Sequence, residues 1–252
     1  MENKITAFRL RAGNLWYTGS YQQASSDNDT NRRTENMDSR DFWEQDLPER
    51  LKQLWGSRRP GRLDGELLKR AAVLVPLLWK DGCYQLLFEV RAGTLSSQPG
   101  EICFPGGGLE AGESGRQAAV RETMEELLLL EKQIELLAPL DVLETPAGVE
   151  ITPYLGLLSD YQGSFSAEEV DRVFTIPLDS LLEIEPERHV ARVCTVPASD
   201  FPFEKLPGQE QYHFREGTYP ILFYETEHGV IWGMTAKILH SFLQMYQENA
   251  SK

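Results

Sequence analysis

The sequence predicts an α+β fold, a mixed β-sheet flanked by helices in an α/β/α sandwich. Three observations carry this reading. Between residues 71 and 232, short runs rich in Val, Ile, Leu, Tyr and Phe alternate with turns that contain Gly or Pro. Two segments, at 114–130 and from Thr235 onward, carry helix start signals instead. No internal repeat is present, so the segments belong to one layered core rather than to a solenoid.

Taken in order, residues 4–21 hold the alternating Ala7, Leu10, Trp16 and Tyr17 of a short hairpin. From 25 to 41 the only apolar residue is Met37, a composition that cannot bury enough surface to offset ordering and predicts a linker or mobile loop. Leu47, Leu51, Leu54 and Trp55 then repeat at helical spacing, with Asp46 as N-cap and Pro48 in the first turn. Strands are expected at 72–79 and 84–91, joined through Asp81-Gly82, a pair suited to the positive φ of a tight hairpin. A strand at 102–104 leads into Pro105-Gly106-Gly107-Gly108, and a helix follows at 114–130. Further strands are expected at 134–143, 149–158, 172–176, 191–196 and 219–224, the last returning through Glu227-His228-Gly229 into 230–232. Thr235 caps a final helix whose Ile238, Leu239, Phe242, Leu243 and Tyr246 form one apolar face. The domain reading is an N-terminal extension at 1–66, with a polar linker and one helix, and a catalytic domain at 67–252.

Charge narrows the function classes. With 25 basic and 39 acidic residues the net charge is −14, which repels a nucleic-acid backbone and excludes long DNA or RNA as a partner. An acidic enzyme can still act on a phosphate ester when a cation stands between carboxylate and substrate. The N-terminus has no h-region, and no stretch approaches the roughly 18 apolar residues that span a bilayer. A cytoplasmic protein without membrane contact is expected. Cys83, Cys103 and Cys194 are too few and too scattered for a disulfide framework or zinc knuckle, and read as small buried apolar residues.

The chemistry concentrates between Gly106 and Glu126. On a helix, Glu122 and Glu126 lie one turn apart with Glu125 beside them, a group of carboxylates that repel one another unless cations intervene. Oxygen-rich sites of this kind suit Mg²⁺ or Mn²⁺. Arg121, four residues before Glu125, can steady a carboxylate while contacting phosphate or Glu113. The missing side chains at 106 to 108 admit a ligand to the backbone, and the Gly107 carbonyl is a candidate metal ligand. Glu113 sits at the positive end of the helix dipole. A solvated acidic helix face after a glycine turn is the bland alternative for each residue taken singly.

Together, Gly107, Glu113, Arg121-Glu122 and Glu125-Glu126 stand in the order and spacing of the Nudix box, and the chain resembles that hydrolase family. The resemblance implies a Nudix fold and hydrolysis of a nucleoside diphosphate linked to a further group. Leu128 stands where the family usually has Gly. Flanking segments resemble the coenzyme A diphosphatase branch: Leu87 to Ala92, Gly100 and Phe104 to Gly107, then Glu169 to Phe174 before Pro177-Leu178, and Ile231 to Ala236. The likeness covers about residues 70–246. Two positions depart from the branch, Glu89 where Thr is common and Ser96 where Arg is common.

The resemblance implies cleavage of coenzyme A or its derivatives to 3′,5′-ADP and 4′-phosphopantetheine. Glu113, Arg121, Glu122 and Glu125 would be the catalytic group, and Glu122, Glu125, Glu126 and Gly107 the metal group. Arg91, Gly106 and Gly107 would bind substrate, with Arg91 toward the 3′-phosphate. Either Glu122 or a loop carboxylate, Glu168 or Glu169, would be the base. A hydrolase of ADP-ribose or a dinucleotide, and a non-catalytic nucleotide-sensing module, are the competing readings. The partner implied is a small-molecule nucleotide, and a homodimer is compatible with the sequence. Trp232 and Phe104 are offered as adenine-stacking or core residues, and 201–206 as a loop bordering the substrate.

Overall fold

The computed structural model describes residues 69–250, the strand backbones at 8–12 and 15–19, and residues Lys52 and Ser57. The chain divides into two compact units, Met1–Pro60 and Gly61–Lys252. In the first, strands β1 (Phe8–Ala12) and β2 (Leu15–Gly19) form the expected antiparallel hairpin. The linker at 25–41 lies outside the described residues, as does the expected helix at 47–55 apart from Lys52, which is helical.

The second unit is built on a mixed sheet. Its centre is the hairpin of β3 (Lys69–Lys80) and β4 (Cys83–Arg91), closed by Asp81 at φ 51° and Gly82 at φ 84°. These are the two positive φ values that an Asp-Gly turn accommodates. Strand β3 is longer than its hairpin. Residues Leu77 to Lys80 pair with β4, whereas Ala71 to Val73 pair with β6 (Gly106–Gly108). Strand β4 meanwhile turns to pair with β5 (Ile102–Cys103), so the ladder splits where β3 changes partner. On its other edge β3 runs parallel to β9 (Val149–Leu158), which pairs with β7 (Ile134–Pro139) and β8 (Leu143–Glu144). Strand β10 (Val170–Pro177) closes the β4 edge and leads into a short helix, α2 (Leu178–Glu183). A second, antiparallel sheet holds β11 (Glu187–Val193), β12 (Gly217–Thr226) and β13 (Gly229–Trp232).

Period 2 along the strands sorts the core into two layers. Val75 of β3 and Leu86, Phe88 and Val90 of β4 face one side, packed with Leu239, Phe242 and Leu243 of α3 (Gly233–Ala250). Leu74, Leu78 and Leu87 face the other, against Leu127 of α1 (Gly115–Leu127). Ala118 and Ala119 of α1 also close on Ala72. Their small side chains let the helix approach β3 closely. A sheet covered on both faces needs apolar residues at consecutive positions, which is why β3 and β4 read as nearly continuous hydrophobic runs.

Several boundaries differ from the sequence reading. The expected strand at 134–143 breaks at Pro139, and that at 191–196 lies earlier, at Glu187–Val193, where pairing with β12 sets its register. The last helix starts at Gly233, before the expected cap Thr235. Cys83 and Cys103 are only partly buried and Cys194 is exposed, so the buried-apolar reading of the cysteines fails for Cys194. Phe104 is core, stacked on Phe88 with ring centroids 4.9 Å apart.

Helix α1 is delimited by two local devices. Ser114 and Gln117 form a capping box, the Gln117 amide donating to Ser114 Oγ and the Ser114 amide to Gln117 Oε1. At the other end Leu128 adopts φ 52° and ψ 46°, the left-handed cap that glycine fills without steric penalty. Its side chain is exposed, so little packing offsets the strain. Replacing it (Leu128→Gly) should therefore stabilise the protein by about 1 kcal/mol. Thermal denaturation should show a rise of roughly 2–4 °C, and an unchanged or lowered midpoint would contradict the assignment of strain.

Candidate active site

The split between β4 and β6 opens a cleft of about 270 Å³. Its walls include Arg91, Gln98 and Glu101 on one side, Gly106 to Gly108 on another, and Val149, Ile151, Trp232, Met234 and Ile238 beyond. Both aromatic residues offered as stacking partners line this space, Trp232 half-exposed with Phe223 stacked behind it at 5.9 Å, and Phe104 almost wholly buried in the core. Arg91 ends β4 at the mouth, where its Nε donates to the Ser97 carbonyl at 3.3 Å. Phe201 packs against Phe203 and Phe214 instead of lining the cleft.

The glycines are explained by what surrounds them. At Gly106, with φ 152°, a Cβ would overlap the Ala72 carbonyl and the Val73 backbone, so a side chain would push β6 off β3. At Gly107 a Cβ would overlap the carboxylate of Glu122. The glycine strand and helix α1 thus meet at van der Waals contact, which sets Glu122 and Glu126 directly against the glycines that line the cleft.

Those carboxylates form two groups. In the outer one, Arg121 bridges three acids. Its Nε and Nη2 donate to Glu113 at 2.9 and 3.0 Å, and Nη1 to Glu122 at 2.8 Å and to Glu125 at 3.3 Å. Nη2 also reaches the Gly108 carbonyl at 3.1 Å. The two-pronged bond to Arg121, with the Glu110 amide behind it, holds the Glu113 carboxyl below the usual range. Arg121 in turn is pinned as a cation by Glu113.

The inner group is nearly sealed. Glu126 is 2% exposed, and its Oε2 accepts the Gly106 amide at 2.8 Å. Beside it lies Glu89 of β4, 0% exposed, a residue the sequence reading did not assign to the site. Strand alternation puts Glu89 on the α1 side, two residues after Leu87. A charged residue inside the run Leu86-Leu87-Phe88-Glu89-Val90 was the signal that could have found it. Cys103 Sγ donates to Glu89 Oε1 at 3.3 Å, while Oε2 is buried with no hydrogen-bond partner. Burial, then the charge of Glu89, pushes the Glu126 carboxyl well above its ordinary value; burial does the same to Glu89. Glu122 is raised less, because burial is opposed by Arg121. Of the two loop acids, Glu169 is the one whose charge raises all three, Glu89, Glu122 and Glu126.

Among the described residues no set of three His, Cys, Asp or Glu side chains already converges as a metal cage. In the outer group Arg121 stands among the carboxylates, and in the inner group Glu126 is turned to Gly106. The donor set still fits a hard divalent cation. It is composed of carboxylate and carbonyl oxygens, it carries uncompensated repulsion, and one buried oxygen has no partner.

The model of the NUDIX domain matches residues 68–215. Nudix hydrolase 3 of Caenorhabditis elegans is 29% identical over 233 residues, covering 86% of this chain and 92% of that protein. The peroxisomal coenzyme A diphosphatase NUDT7 of Mus musculus is 36% identical over 132 residues, covering 52% of this chain and 55% of that protein. An uncharacterized Nudix hydrolase NudL of Photorhabdus laumondii is 29% identical over 181 residues, covering 71% of this chain and 86% of that protein. No helix among the described residues is long and apolar enough to cross a membrane.

The inner pair sets a pH dependence. Its folded-state pKa values are raised, so the folded protein holds these protons more tightly than the unfolded chain. The associated stability is complete below the ordinary carboxylate value of 4.5 and is lost as pH climbs through the raised values, about 7 for Glu89 and about 9 for Glu126. Metal-free Glu126→Gln, which keeps an acceptor for Gly106, should melt above the wild type at pH 8 and together with it at pH 4. Parallel melting curves at both pH values would show that Glu126 does not titrate in this window.

Proposed function

Because the chain belongs to the NUDIX domain family, whose members here are hydrolases acting on diphosphate anhydrides, we propose that it cleaves coenzyme A or its derivatives to 3′,5′-ADP and 4′-phosphopantetheine. The observation that carries the reading is the meeting of Glu122 and Glu126 with the Gly106–Gly108 backbone at one end of a cleft whose other end is apolar. The relative named as a coenzyme A diphosphatase supports this substrate. So does the cleft itself. The backbone at Gly106 to Gly108 admits a diphosphate, Arg91 at the mouth offers a cation to a 3′-phosphate, and Trp232, Met234 and Ile238 offer an apolar wall.

Hydrolases of this family generally use divalent metal ions. In this reading Glu122, Glu125 and Glu126, with the Gly107 carbonyl, hold Mg²⁺ or Mn²⁺. The ion, when bound, neutralises charge on the diphosphate oxygens and acidifies the attacking water. The remaining work falls to the chain. Arg121 holds Glu113, Glu122 and Glu125 in fixed relation, and the Glu126 bond to Gly106 keeps the glycine strand against the helix. Water attacks phosphorus in line. A P–O bond forms to it, the bridging P–O bond breaks, and the electron pair leaves with the departing phosphate. Glu122 is committed to Arg121, so the reading gives the water's proton to Glu169, on the loop before β10.

Product chromatography with coenzyme A, ADP-ribose and a dinucleotide, each with Mg²⁺, Mn²⁺ or EDTA, tests the reading. Metal-dependent 3′,5′-ADP from coenzyme A, with the others slow, is expected. Preference for another substrate would leave the family chemistry and remove the coenzyme A assignment. Glu126→Gln should lose nearly all turnover at saturating Mg²⁺. Glu169→Gln should lower kcat by about 10²- to 10⁴-fold with little change in KM, the range for a lost general base. A kcat within a few-fold of wild type would return that role to Glu122.

A further inference from the structure

The family motif accounts for the carboxylates of α1 but not for Glu89. An ionised carboxylate sealed under a helix is costly unless it is paired or ligates a metal. Glu89 has one partner, the Cys103 thiol on Oε1, and thiols are weak donors. Its Oε2 is fully buried and unpartnered. Arg91 lies near enough to ease the charge, but its Nε bonds to the Ser97 carbonyl rather than to Glu89. All other charges acting on Glu89 are those of the acidic group itself, and they raise its cost. An apolar residue or Thr at this position would avoid it.

We propose that Glu89 is an additional cation ligand, its free Oε2 forming with Glu126 an inner position for a divalent metal ion between β4 and α1. The inference rests on the metal-dependent reading above and extends it from α1 to the facing strand. Its location follows from the fold. Glu89 pairs with Cys103 across the short β4–β5 ladder, directly beside the divergence that admits the cleft. The ion would then join α1 to β4, as the Glu126 bond to Gly106 joins α1 to β6.

The test is Mn²⁺ binding to the full-length protein without substrate, followed by the loss of the free-ion electron paramagnetic resonance signal. Glu89→Gln keeps the shape and removes the charge. It should bind one Mn²⁺ fewer than wild type, or bind it roughly tenfold or more weakly. Metal-free Glu89→Gln should be at least as heat-stable as wild type, whereas Mn²⁺ should raise its midpoint less. Should Glu89→Gln fail to fold, Glu89→Thr serves in its place. Equal stoichiometry and affinity in wild type and variant would overturn the role of Glu89 and leave the proposed function standing. A wild type that binds no Mn²⁺ would instead remove the metal-dependent reading on which both depend.

Discussion

Glu126 is placed where a carboxylate is expensive, between helix and sheet and almost out of reach of water, and among the described residues the Gly106 amide alone donates to its side chain. Burying such a group costs several kcal/mol before compensation. The single bond does not cover that cost, yet much of the site follows from it. It holds the glycine strand under α1, where the bare Gly107 lets Glu122 stand against the backbone, while β3 on the strand's other edge forbids a side chain at Gly106. The remaining imbalance is the reason the inner carboxyls hold protons so tightly in the absence of a cation.

The outer group is built on the opposite principle. Arg121 satisfies Glu113 through two bonds and shares its remaining donors with Glu122, Glu125 and the Gly108 carbonyl. The fork geometry of a guanidinium makes this possible, and a lysine could not hold three carboxylates at fixed angles. A balanced scaffold therefore stands beside an unbalanced pair. The first fixes positions and the second supplies the demand for positive charge.

Much of this was legible in the chain. The Asp81-Gly82 turn and the strand Val149–Leu158 stand where the pattern puts them, because both depend on local chemistry or on a continuous buried run. Strand β6 was not legible, since glycines have no strand preference and the pairing comes from β3. Helix α2 escaped because it is one and a half turns long and begins right after Pro177. For the site, spacing revealed the residues of α1, which are near one another in sequence, and the structure adds how Arg121 apportions them. Glu89 is near them only in space. Its meaning depends on α1 lying above β4, which no periodicity within β4 can tell.

The parting of β4 from β3 separates two kinds of responsibility. The clustered carboxylates sit on α1 and the inner face of β4, while the wall of the cleft includes the 92–101 connection, β9 and the β13–α3 junction. These elements share a rim but few side chains. Substitutions or length changes along that rim can accumulate without disturbing the reactive centre. One such scaffold can thus diversify its diet over evolutionary time while its cleavage machinery stays the same.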